Sequence, residues 1–132
     1  MNAPFNYHDA LVSRANATSN AILGTPATVG SILDGIKNGQ WAGRIAELRA
    51  TVQPEAAKSL KRALPAVIFG GTFSTRSKAG LIARSGVLVI DFDDLPDPAA
   101  TRTSLANDPI VCSAFVSPSG TGGTKLVRHD DR

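Results

Sequence analysis

The stretch Gly86-Val87-Leu88-Val89-Ile90-Asp91-Phe92-Asp93-Asp94 decides how this chain is read. Its first five residues are uncharged and mostly β-branched or aliphatic, which predicts a strand buried on both faces. That strand runs directly into carboxylates. Asp91 and Asp93 stand at i and i+2, and on an extended backbone this spacing puts both side chains on one side. Two carboxylates held close together repel, so one takes up a proton unless a cation neutralises the pair. A hard divalent cation, Mg2+ or Mn2+, does this with oxygen ligands, and magnesium commonly takes one or two carboxylates plus substrate phosphates. The spacing therefore points to Asp91 and Asp93 as metal ligands and catalytic residues of phosphoryl or nucleotidyl transfer. The plainer alternative is a pair of acidic residues capping a strand end in solvent. Asp94 falls on the opposite side and is expected behind the ligands or exposed.

Downstream, Pro96 and Pro98 end the strand, and a short helix is expected over residues 98–106. Residues 110–116 read as a second buried strand, and Leu126-Val127 as the start of a last one. Between them lies Ser117-Pro118-Ser119-Gly120-Thr121-Gly122-Gly123-Thr124-Lys125. Small residues leave backbone N–H groups accessible, and successive N–H groups in such a turn can cradle an anion. Lys125 adds a point charge. Ser117, Ser119, Gly120 and Lys125 are thus candidate nucleotide-phosphate contacts, although the spacing is not that of a Walker A loop. A simple hairpin connector is the alternative.

Upstream, Thr28 is placed to cap a helix in which Val29, Ile32, Leu33 and Ile36 recur at helical spacing, with Gly39 ending it. A second helical pattern covers residues 41–49, and Pro54 opens a third helix that stops before Pro65. Residues 66–69 form a short apolar run between Pro65 and Gly70-Gly71, hence a strand. Residues 73–80 read as a polar loop. Residues 1–25 are rich in Asn, Ala, Ser and Thr and read as an arm, with Phe5, Tyr7, Leu11 and Val12 able to add an edge strand. The chain is then an arm over 1–25 followed by one domain over 26–132. Its class is α+β: a small mixed or antiparallel sheet, helices mainly on one face and a helical lead-in.

With 132 residues and 42% apolar composition, the chain is large enough to bury a core. A net charge of +3 from scattered Lys and Arg permits a nucleic acid or nucleotide partner without requiring one. The single cysteine, Cys112, excludes an internal disulfide and reads as a buried thiol, which suits a reducing, cytoplasmic setting. No window is apolar enough for a membrane span. His8 and His129 have no partner at metal-ligand spacing, and Trp41 reads as core. Arg76 and Arg84, just before the acidic strand, either meet phosphate or are solvated.

The run 86–93 followed by Ala114-Phe115-Val116-Ser117-Pro118-Ser119-Gly120 resembles the VirE-type N-terminal domain of mobile-element and phage primase-helicases, a branch of the archaeo-eukaryotic primase superfamily. Residues 64–66 and 71–73, together with the helical lead-in over 28–49, extend the likeness to residues 25–128. The resemblance implies a primase-like half-domain in DNA replication. Asp91 and Asp93 would hold Mg2+ or Mn2+, and Ser117, Ser119, Gly120 and Lys125 would hold a nucleoside triphosphate. Its partners would be a single-stranded template and a helicase region or replication protein. The superfamily draws a third acidic ligand from a later strand. Asp130 and Asp131 at the terminus are poor substitutes, so little or no synthesis is expected from this chain by itself. A second reading follows from the same gap: a non-catalytic short homologue that binds nucleic acid or a replication or host-defence protein.

Overall fold

Backbone capping explains where the helices begin. In a computed structural model describing residues 6–18 and 23–128, α1 spans Val29–Lys37, and the Thr28 side chain accepts a hydrogen bond from the Ser31 N–H at 3.1 Å. This satisfies one of the donors that a helix start leaves open. Gly39, at φ +76°, turns the chain after α1, and α2 follows at Ala42–Ala50. Helix α3 spans Pro54–Ala63 with Pro54 in its first turn, and α4 spans Pro98–Ala106, capped by the Asp97 carboxylate. All four helices stand where the sequence predicts them, within a residue or two.

The strands are β1 (Leu11–Ala15), β2 (Ala27–Thr28), β3 (Ala66–Ile68), β4 (Gly71–Phe73), β5 (Leu81–Arg84), β6 (Val87–Phe92), β7 (Val111–Val116) and β8 (Gly123–Arg128). Together with the helices they make an α+β fold, as expected, but the strands divide among three small antiparallel sheets, ordered β2-β1-β3, β4-β5 and β6-β8-β7. Residues 11–15, read above as arm or edge, are the middle strand of the first sheet, and Val12 and Ala15 are buried. The N-terminal polar composition conceals this because the buried positions are few. Phe5 lies outside the described residues. Strand β5 has no counterpart in the sequence reading. All four of its residues are exposed, so it leaves no burial pattern to read.

One core joins the first and third sheets through Val12, Val29, Ile32, Phe69, Val87 and Leu126. Two buried serines tie its parts together. Ser13 Oγ accepts from the Phe73 N–H at 2.8 Å, holding β4 to β1. Ser85 Oγ donates to the Phe69 carbonyl and accepts from the Val87 N–H at 3.1 Å, fixing the start of β6. Because β6 and β7 each run antiparallel to β8, they are parallel to each other. Helix α4 connects them while β8 lies between, which is a split βαβ arrangement. No residue of α4 belongs to the core cluster, although the helix packs along β7.

Candidate metal and phosphate site

Strand register sets the faces of the third sheet. Val87, Val89 and Asp91 pair with Arg128, Leu126 and Thr124, and Thr124 pairs in turn with Phe115. Residues opposite one another point to the same face. Leu126 and Val87 are buried, so this is the core face, and Asp91 stands where it reaches solvent. The other face carries Leu88, which is 46% exposed, with Ile90 and Phe92. Strand β6 is therefore buried on one face and not on both, because α4 lies along β7 and leaves Leu88 open.

Asp91 is held by its neighbour on β8: the Thr124 hydroxyl donates to Asp91 Oδ1 at 2.8 Å. This bond fixes the carboxylate and leaves its other oxygen open to a ligand. Asp93 follows just past the strand end and is exposed. Asp94, also exposed, adopts φ +52° and turns the chain away. Aspartate tolerates this left-handed conformation better than most residues.

The small-residue loop does meet the acidic turn. The Leu95 N–H donates to the Thr121 carbonyl at 2.8 Å. A Cβ on Gly122 would stand 2.1 Å from the Phe92 carbonyl oxygen, so only glycine fits there. The loop closes on itself: Ser117 N–H donates to the Gly122 carbonyl at 3.0 Å, Gly120 N–H to the Ser117 carbonyl at 2.9 Å, and Gly122 N–H to Ser117 Oγ at 3.1 Å. Hydroxyls of Ser117, Ser119 and Thr121 form a chain with links of 3.1 and 3.0 Å. This is a rigid hairpin turn rather than an open cradle, with the Ser119 and Thr121 hydroxyls exposed beside the acidic turn.

Lys125 is not brought to Asp91. It pairs with Ile90, so its side chain leaves from the opposite face, and its ammonium lies 5.7 Å from the centre of the Phe92 ring. Arg49 of α2, which the sequence reading passed over, reaches the loop instead. Its Nε donates to the Pro118 carbonyl at 3.1 Å and its Nη2 to the Ser117 carbonyl at 2.9 Å. The amphipathic spacing of α2 marks Ile45 and Leu48, while nothing local marks an arginine that bonds a loop 68 residues away.

The remaining candidates lie elsewhere. His8 sits in a short turn against Tyr7, with ring centroids 4.2 Å apart. Arg76 donates to the Thr18 carbonyl at 2.7 Å, and Arg84 lies in β5. His129, Asp130 and Asp131 fall outside the described residues, which contain no group of three or more His, Cys, Asp or Glu placed to hold a metal. Among the described residues no helix is long and apolar enough to cross a membrane. Cys112 packs against the core, and burial pushes its thiol above the ordinary value of 9.0, partly opposed by Arg128.

The model of the BT4734-like N-terminal domain family matches residues 59–131. No curated protein and no solved structure matches the chain. The resemblance to the VirE-type primase domain is corrected by this match, whose description names a different family and nothing of a primase. The physical reason is the generality of the features read. An apolar strand ending in acids, followed by a glycine-rich hairpin, meets the needs of any tight β turn packed against a neighbouring strand end. The structure shows such packing at Gly122 and Phe92.

Proposed function

The chain belongs to the BT4734-like N-terminal domain family, and we propose that it is the divalent-cation and nucleotide-phosphate binding part of a nucleotidyltransferase, without turnover of its own. The observation that carries this reading is Asp91, oriented by Thr124 on the core face of the sheet, with Asp93 two residues on and the hairpin at its side. The donor set suits magnesium or manganese: two carboxylates, with phosphate and water oxygens completing the shell. The cation would supply charge neutralisation at the phosphates. Thr124 holds the Asp91 oxygen in place, and the Ser119 and Thr121 hydroxyls offer hydrogen bonds to a phosphate. Arg49 stiffens the hairpin from behind through its two carbonyl contacts.

Two-metal transfer shares several acidic ligands between its cations. Two carboxylates fit one cation, so binding without turnover is expected. The same observations favour a second reading, a non-catalytic module: the hairpin hydroxyls already bond one another and Lys125 leaves from the far face. Calorimetric titration of a nucleoside triphosphate, with and without Mg2+, tests the proposal alongside primer extension. Magnesium-dependent affinity lost in Asp91→Ala, with no extension, supports it. Absence of magnesium-dependent affinity leaves the module reading, and robust extension abolished by Asp91→Ala shows a complete catalytic site.

A further inference from the structure

Strand β7 is an edge strand: among the described residues its only sheet neighbour is β8. Its register shows which main-chain groups are left over. Ser117 N–H bonds to the Gly122 carbonyl, and in an antiparallel ladder residues alternate. Residues 113, 115 and 117 therefore turn their N–H and C=O toward β8, while Ala114 and Val116 turn theirs outward. Those outward groups open into a cleft of about 830 Å³ between α2 and α4. Trp41, just before α2, and Ile45 of α2 line one wall and Arg102 of α4 the other. A smaller apolar cavity of about 200 Å³ shares Trp41, Ile45, Phe115 and Val116.

Charge selects among occupants. Lys37, Arg49 and Arg102 line the cleft, and no Asp or Glu does among the described residues. Strand addition satisfies outward N–H and C=O groups as no other ligand does, and it places alternate side chains on opposite walls. We propose that the β7 edge binds an extended acidic peptide segment of a partner protein as an added strand. Its apolar side chains face Trp41 and the small cavity, and its Asp or Glu side chains face Arg102. This site lies outside the Asp91 and Asp93 centre and does not depend on it.

Trp41 is the single tryptophan, so its fluorescence reports the cleft directly. The full chain is titrated with a synthetic peptide of about six residues alternating Glu and Val, a typical strand length. A lysine-for-glutamate version, an N-methylated version and an oligothymidylate are titrated in parallel. Saturable change in Trp41 emission is expected for the acidic peptide, with slowed amide exchange at Ala114 and Val116. Arg102→Glu, at an exposed position, should weaken binding about tenfold while Asp91→Ala leaves it unchanged. No saturable response overturns the proposal. So does equal binding of the N-methylated or lysine peptide, or insensitivity to Arg102→Glu. An oligothymidylate that saturates the cleft where the peptide does not would assign it to nucleic acid instead.

Discussion

Thr124 and Asp91 form the smallest unit on which the site depends. A hydroxyl that donates to one carboxylate oxygen holds the side chain in one rotamer and directs the other oxygen outward. Replacing Thr124 with Val keeps the β-branched shape that the strand prefers and removes only the donor. Magnesium-dependent triphosphate affinity should fall by about 1 kcal/mol, the usual net value of one such bond, with the thermal midpoint little changed. Calorimetry and a melting curve on the same sample check both halves of that statement. Lys125→Ala should leave the affinity within about twofold, because the side chain starts from the face opposite Asp91. A large loss in that variant would mean the ammonium reaches around the strand end. Gly122→Ala is expected to destabilise the fold by about 3 kcal/mol, since its Cβ would collide with the Phe92 carbonyl, a backbone atom that cannot turn aside. Denaturant titration reads this directly.

At the level of elements, three of the four helices were legible through local punctuation, while α2, without a side-chain cap, was read from the spacing of Ile45 and Leu48. Thr28, Pro54 and the Asp97-Pro98 pair mark their starts, and local chemistry is what a single sequence displays best. Thr28→Ala should accordingly cost about 1 kcal/mol of stability, measured as a shift in the denaturant midpoint. The strands were legible only where the apolar run is continuous. Strand β6 showed itself through its aliphatic run, whereas β5 is wholly exposed and β1 is flanked by polar residues. The acidic strand end and the small-residue hairpin could both be found, and a backbone bond from Leu95 N–H to Thr121 C=O joins the turn after the strand to the hairpin. Two things were not legible. The register that sends Lys125 to the other face depends on where the hairpin turns, and a one-residue difference reverses every side chain. The arrival of Arg49 depends on tertiary packing of α2 against the loop. Family membership also escaped the motif reading, since the motifs describe a tight strand-end turn shared by many folds.

For the molecule as a whole, two partly buried groups contribute to its response to alkali. Burial raises the phenol of Tyr7 above its ordinary 10.0, with a contribution from Cys112, and burial raises the thiol of Cys112 above 9.0. The folded chain therefore keeps protons that the unfolded chain releases, and stability falls with pH wherever the unfolded state binds fewer. Full stability should persist below the ordinary thiol value and decline as pH rises through the two ordinary values toward the raised ones. Cys112→Ser should flatten the first part of that decline in a series of denaturant titrations. The split βαβ unit, the core under Leu126 and the Asp91 end of the sheet form one continuous structure, so metal binding and fold can be read in a single experiment. That experiment is manganese titration of the labelled full chain, followed by paramagnetic broadening of its amide signals. The account predicts that residues 90–94, 123 and 124 broaden first, that added nucleoside triphosphate extends the effect to 119–121, and that Asp91→Asn removes it. Broadening centred elsewhere, or unchanged in Asp91→Asn, would contradict a cation site at Asp91 and Asp93.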